Sequence, residues 1–214
     1  MDETTLRREA IRLYRRYQTE IVEALNLCPW AERARLEGRV RETVLLCTTL
    51  DEEPALDAID ALAKDPSVEI GLLLFPKLTA GFGEFERFVS RLVTKDAARR
   101  ELGAAPFALA AFHPGAHADL SDPERTIPFL RRTPDPTIQL VRCDALDRVR
   151  EGFHEGTEFV DVRALMTLDW TRDDTLPLRE RIARGNHKTL ARLGLPAVEQ
   201  RFAAIFEDRD ATYR

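Results

Sequence analysis

The chain has 214 residues, 44% of them hydrophobic and 32% charged, with a formal net charge of −5. Such a balance belongs to a folded chain with a sizeable core rather than a disordered one, and it lacks the basic field that draws nucleic acid. No apolar run approaches the roughly 20 residues of a membrane span, the start Met1-Asp2-Glu3-Thr4 has no apolar signal region, and three irregularly spaced cysteines argue against a disulfide framework. The expected setting is a reducing cytoplasm, with no nucleic-acid or membrane partner and with the oligomeric state left open.

In chain order, Leu6, Ala10, Leu13, Tyr14, Tyr17, Ile21, Ala24 and Leu25 recur at three- and four-residue steps and predict one helix over about residues 4 to 26. Proline suits the first position of a helix, so Pro29 predicts a second, short one that ends at Gly38. Thr43-Val44-Leu45-Leu46-Cys47 marks a strand within residues 40–48. Pro54 begins a helix carrying Leu56, Ile59 and Leu62, which Asp65-Pro66 stops. Ile70-Gly71-Leu72-Leu73-Leu74-Phe75 and Phe107-Ala108-Leu109-Ala110-Ala111-Phe112 are continuous apolar runs, the pattern of strands buried on both faces. Between them Phe85, Phe88, Val89 and Leu92 predict a helix that closes near Gly103.

Residues 113–136 form a proline-rich loop with one short helix, capped by Ser121 or Asp122. A loop this long in a compact domain is usually functional or mobile. Thr137–Val141 is a fourth strand, Asp144 caps a helix to about Phe153, and Pro177 and Pro196 open the last two helices, with Gly194 between them. The order predicts one α/β domain over 1–214: a small mainly parallel or mixed sheet of about four strands flanked by helices.

In open α/β sheets ligands bind outside the carboxyl ends of the strands. Lys77 follows the second strand there and His113 the third. An antiparallel fourth strand would bring Arg131, Arg132 and Thr137 to the same edge; a parallel one would bring Arg142 instead. Either set suits a small anionic molecule, carboxylate or phosphate. As the N-cap of a helix opened by Pro29, Cys28 would hold its thiol beside a partly positive helix terminus, which favours the thiolate. The same position equally suits a small hydrophobe packed at a helix corner. His113-Pro114-Gly115-Ala116-His117-Ala118-Asp119 offers two histidines and a carboxylate, but no spacing of an established metal motif, and no metal is assigned. His154 and His187 lie in polar helical contexts and are expected in solvent.

Asn26-Leu27-Cys28-Pro29-Trp30-Ala31, Phe112-His113-Pro114, the run from Arg132-Thr133-Pro134-Asp135-Pro136-Thr137 to Arg142, and Arg184-Gly185-Asn186 before Thr189-Leu190-Ala191-Arg192-Leu193-Gly194 together resemble a bacterial family known as domain of unknown function 1415. The resemblance covers about residues 5 to 195. It implies that Asn26, Cys28, His113, Arg132, Thr137, Arg142 and Asn186 are the positions to watch, and it implies no activity. The chain departs from the family pattern at Thr133, at Asp135, where the family has an aromatic, and at residues 156–174, an expected insertion that would serve as a lid or partner surface.

Three functions follow. The first is an enzyme, a transferase, hydrolase or redox catalyst, acting on a small anionic metabolite. Cys28 and His113 would be its catalytic pair, with Arg132, Thr137, Arg142, Asn186, Lys77 and Asn26 binding the ligand. The second is a non-catalytic protein that binds a ligand, a metal or a haem through Cys28-Pro29. In the third, the same motifs are structural only.

Overall fold

The computed structural model describes residues 1–28, 31–100, 104–117, 119, 121–152 and 178–214. The predicted helix start at Pro29, the stop near Gly103, the insertion at 156–174 and the helix start at Pro177 lie outside the described residues.

Helix α1 (Glu3–Tyr17) begins at Asp2, whose carboxylate accepts the Thr5 N–H, and buries Leu6, Ala10, Leu13, Tyr14 and Tyr17. The rod then continues as a π-helical segment over Gln18–Glu23 rather than as one α-helix to residue 26. Thr19 is the local cause: its hydroxyl donates to the Arg15 carbonyl at 2.9 Å, and the Ala24 N–H reaches back five residues to Thr19 O at 3.1 Å. A hydroxyl competing for helix carbonyls loosens the α register, and wide turns follow.

The rod ends in a Schellman motif. Asn26 stands at φ 50°, the Leu27 N–H donates to Val22 O at 2.8 Å and the Asn26 N–H to Glu23 O at 2.9 Å. Asparagine tolerates this left-handed position, which β-branched residues do not. Asn26→Val is therefore expected to cost about 1–2 kcal/mol, whereas Asn26→Gly keeps the stability of the parent; urea denaturation of both variants checks this.

Four strands form one sheet: β1 (Val40–Val44), β2 (Ile70–Leu74), β3 (Phe107–Phe112) and β4 (Thr137–Arg142), in the order β1-β2-β4-β3. β1 and β2 are parallel, and β4 runs antiparallel to both β2 and β3. So β1, β2 and β3 point one way and β4 is inserted against them. Of the two continuous apolar runs, β2 is buried along its whole length. β3 is not: it lies at the sheet edge, with Ala108 exposed and Leu109, Ala110 and Ala111 only partly covered.

Helices α3 (Glu52–Ala63) and α4 (Phe82–Arg99) cover one face of the sheet, joining Leu73, Phe75, Ile138 and Leu140 in one core. On the other face α1, the π-helical segment and the last helix α8 (Leu195–Tyr213) pack with Val44, Leu72, Leu74 and Phe112. The remaining helices of the described residues are α2 (Ala31–Leu36), α5 (Pro123–Leu130), α6 (Cys143–Gly152) and α7 (Leu178–Leu193). Asp122 is the cap of α5, accepting the Arg125 N–H at 2.9 Å. No helix among the described residues is long and apolar enough to cross a membrane.

Candidate functional site

The antiparallel β4 decides which arginines reach the carboxyl edge of β1–β3. Arg131, Arg132 and Thr137 arrive there, and the His113 N–H donates to Arg131 O at 2.9 Å. Arg142 lies at the opposite edge. Its guanidinium is spent on carbonyls at the end of α3, donating to Val68 O at 2.6 Å and Asp65 O at 2.7 Å while lying 4.7 Å over the Phe107 ring.

Side chains alternate across a strand, and this separates the expected catalytic pair. Phe112 points to the α1 face, so His113 turns the other way and meets Phe82 and Phe85 of α4, with ring centroids 5.9 and 5.7 Å away. Nδ1 accepts the Gly115 N–H at 3.0 Å and Nε2 faces Ala80 O at 2.9 Å. A carbonyl only accepts, so Nε2 carries the hydrogen and the ring is neutral. Burial holds its pKa below the ordinary histidine value, against the opposing bond to Ala80. Both nitrogens are thus engaged, tying the β2–α4 loop to the loop after β3. A Cβ on Gly115 would come within 3.2 Å of Nδ1, so a side chain there would require the His113 ring to shift.

Cys28 lies on the α1 face, half-buried and within electrostatic reach of the Tyr14 and Tyr17 hydroxyls. The same Tyr17 feels Arg131 and donates to Leu130 O at 2.7 Å. Arg132 is on this face too. Its guanidinium lies 5.5, 5.4 and 5.3 Å from the rings of Phe129, Phe202 and Phe206, and burial lowers its pKa. Thr137 is buried, and its hydroxyl donates to Asp135 O at 2.9 Å. Lys77 pairs with Glu3 at 3.1 Å near the surface. Half-buried His187 is not in open solvent: its Nδ1 is 3.0 Å from the buried Thr126 hydroxyl, which itself donates to Asp122 O, so His187 is the donor. Among the described residues no cluster of three His, Cys, Asp or Glu is placed to hold a metal ion.

Two hollows mark the surface of the α1 face. The larger, about 730 Å³, runs along α1 beside Arg8, Arg12, Arg15 and Arg16. Its charge is already met: Arg12 and Arg16 pair with Asp208 at 2.7 and 2.6 Å, and Arg15 with Glu42 at 2.7 Å. The smaller is a cleft of about 300 Å³, lined by Asn26, Thr189, Arg192 and Arg201 with Leu25 and Leu193 as apolar walls. Three elements meet there: the turn that ends the π-helical segment, the last turns of α7, and α8. The Arg201 guanidinium is steadied by a 3.2 Å bond to Glu20 O within the π-helical segment. No carboxylate of the described residues pairs with Arg192 or Arg201. The cleft thus brings two arginines, Asn26 and Thr189 to one concave surface.

Of the positions singled out in the sequence, Asn26 lines this cleft and Asn186 lies one turn before Thr189 on α7. Cys28 is two residues past Asn26, while His113, Arg132 and Thr137 belong to the sheet edge. Sequence reading passed over Thr189, Arg192 and Arg201. The first two sit inside the quoted Thr189–Gly194 run, but nothing local marks Arg201, because lack of an ion-pair partner is a property of the fold.

A family model described as a protein of unknown function (DUF1415) matches residues 9–176. No curated protein and no solved structure matches the chain.

Proposed function

The chain belongs to the DUF1415 family, whose description assigns no activity, and from its own site we propose that it binds a small anionic molecule, a carboxylate or phosphate compound, in the Asn26–Thr189–Arg192–Arg201 cleft. One observation carries this reading: two arginines with no carboxylate partner among the described residues line the same cleft, in a protein where Arg12, Arg16, Arg91 and Arg100 are each ion-paired. Guanidinium groups bind planar carboxylates and phosphates through paired N–H donors, and the Asn26 amide adds a further donor at the cleft. Leu25 and Leu193 give the apolar surface that such sites need. Binding rather than turnover is the supported function, because neither ring nitrogen of His113 is available to act as a base for Cys28.

Calorimetric titration with inorganic phosphate and with citrate tests the reading. Saturable binding of at least one probe is expected, weakening with salt and falling at least tenfold in Arg192→Gln and in Arg201→Gln. Asn26→Gly, which preserves the turn, should weaken binding without loss of stability. No saturable binding of either probe, or the parent's affinity retained in both arginine variants, would refute the proposal.

A further inference from the structure

The two outer edges of the sheet are built differently. Hydrogen bonds fix which way each backbone group points. Leu45 N–H donates to Leu74 O and Ile70 N–H to Arg39 O, so the odd-numbered residues of β1 face β2 and Val40, Glu42 and Val44 face outward. Two of the outward carbonyls are taken, since Arg41 donates to Val40 O at 3.0 Å and Arg7 to Val44 O, and the Glu42 side chain holds Arg15 at 2.7 Å. Charged side chains on an edge strand are a common guard against pairing with another chain.

Among the described residues β3 has no such guard. Cys143 N–H donates to Pro106 O at 2.9 Å, so the even-numbered residues of β3 face β4, and the N–H and C=O groups of Phe107, Leu109 and Ala111 point outward. No strand of the described residues pairs with them. Residues 104–117 contain no Asp, Glu, Lys or Arg, in a chain that is 32% charged. Pro106 and Pro114 bracket the strand and limit the bare edge to its own length.

We infer that β3 is a dimerisation edge that pairs antiparallel with β3 of a second copy of this chain. The occupant follows from the asymmetry of the sheet. Among the described residues each copy has one bare and one guarded edge, so a two-fold pairing closes with one partner and does not grow into a fibre. The two-fold passes through Leu109. In that register Leu109 faces its own counterpart and Phe107 faces Ala111 of the second copy, so each outward residue exchanges both of its backbone bonds. The His113 N–H, already bound to Arg131 O, is not needed. Leu109 would meet its counterpart on the α4 face, and Ala108 would meet Ala110 on the other, where small side chains let the strands approach.

Sedimentation equilibrium over a dilution series, with amide hydrogen exchange, tests this. The parent chain should show twice the 24.4 kDa chain mass when concentrated, with the Leu109 amide protected. Leu109→Pro removes an outward N–H that the β3–β4 ladder does not use, and Ala108→Lys places a charge on the exposed position. Each should give a folded chain of single mass, and if the proline variant unfolds the lysine variant decides. A parent of 24.4 kDa at every concentration overturns the proposal. So does a dimer that persists in folded Ala108→Lys. So does a monomer with a protected Leu109 amide, which would mean that another part of the same chain covers the edge.

Discussion

Arg209→Met is expected to destabilise the protein by about 3–5 kcal/mol, the cost of leaving a buried charge without its partner. The reason lies in the loop before β4. Asp135 is 3% exposed, and its two carboxylate oxygens accept from Arg209 Nε at 2.8 Å and Tyr213 Oη at 2.7 Å. Those partners come from the last turns of α8, so one carboxylate pins the C-terminal helix to the sheet edge. Burial nevertheless keeps the Asp135 pKa above the ordinary carboxyl value of 3.8, with Tyr213 and Arg209 opposing. The folded chain therefore holds a proton at Asp135 at a pH where the unfolded chain has lost it. This group's contribution is fully present below pH 3.8 and is lost as pH rises through the raised folded value. In Arg209→Met the uncompensated carboxylate exists only above that window. The stability difference between parent and variant should accordingly shrink as the solution is acidified, and adding Asp135→Asn to the variant should recover part of the loss at neutral pH. Urea unfolding of the three chains across pH measures this. A difference below about 1 kcal/mol at neutral pH would mean that the pair is too well solvated to matter.

Phe202→Ala is expected to cost about 3–5 kcal/mol, for loss of burial and the cavity left behind. Phe202 is 1% exposed. It stacks on Tyr17 at 6.3 Å, meets Phe129 edge-on at 5.4 Å and lies beside Phe206 at 6.2 Å. The Arg132 guanidinium also rests 5.4 Å from its ring, so the substitution removes a cation–π partner from a cation that burial already disfavours. Phe202→Leu fills most of the same space and should cost much less. Equal losses in the two variants, measured by thermal and urea unfolding, would show that the ring itself, and not the volume it fills, holds α8 in place. Residues 9–176 are the ones matched by the family model, yet α8 lies beyond them and supplies Phe202, Arg209 and Tyr213 to the structure.

Much of the architecture is legible from local pattern. The apolar spacing of α1, the Asp122 cap and the β2 run each carry their own signal within a few residues. The Phe107–Phe112 run shows where that stops. An uncharged strand buried on both faces and an uncharged strand at a bare edge have the same composition, and only the insertion of β4 between β2 and β3 tells them apart. The π-helical segment escapes the pattern because a three- and four-residue apolar spacing continues through Ile21 and Leu25 while Thr19 redirects the hydrogen bonds.

The candidate site was legible in pieces. Asn26 stands out beside Cys28, but the turn geometry that makes asparagine useful there appears only with the hydrogen bonds of Leu27 and Asn26. Arg142 and Arg132 look alike in sequence, and the direction of β4 assigns one to cap α3 and the other to an aromatic bed. Asp135 and Arg209 are 74 residues apart, and no local rule pairs them. Arg192 and Arg201 look like ordinary surface arginines in the sequence, which does not reveal that no carboxylate among the described residues pairs with them.

Anion binding in the cleft is tested most directly by following the guanidinium Nε–H resonances during a citrate titration of the intact chain. The Arg192 and Arg201 signals should shift together and saturate with one affinity, while those of the ion-paired Arg12 and Arg16 stay in place. Shifts spread evenly over all exposed arginines, or confined to Arg12 and Arg16, would contradict the account.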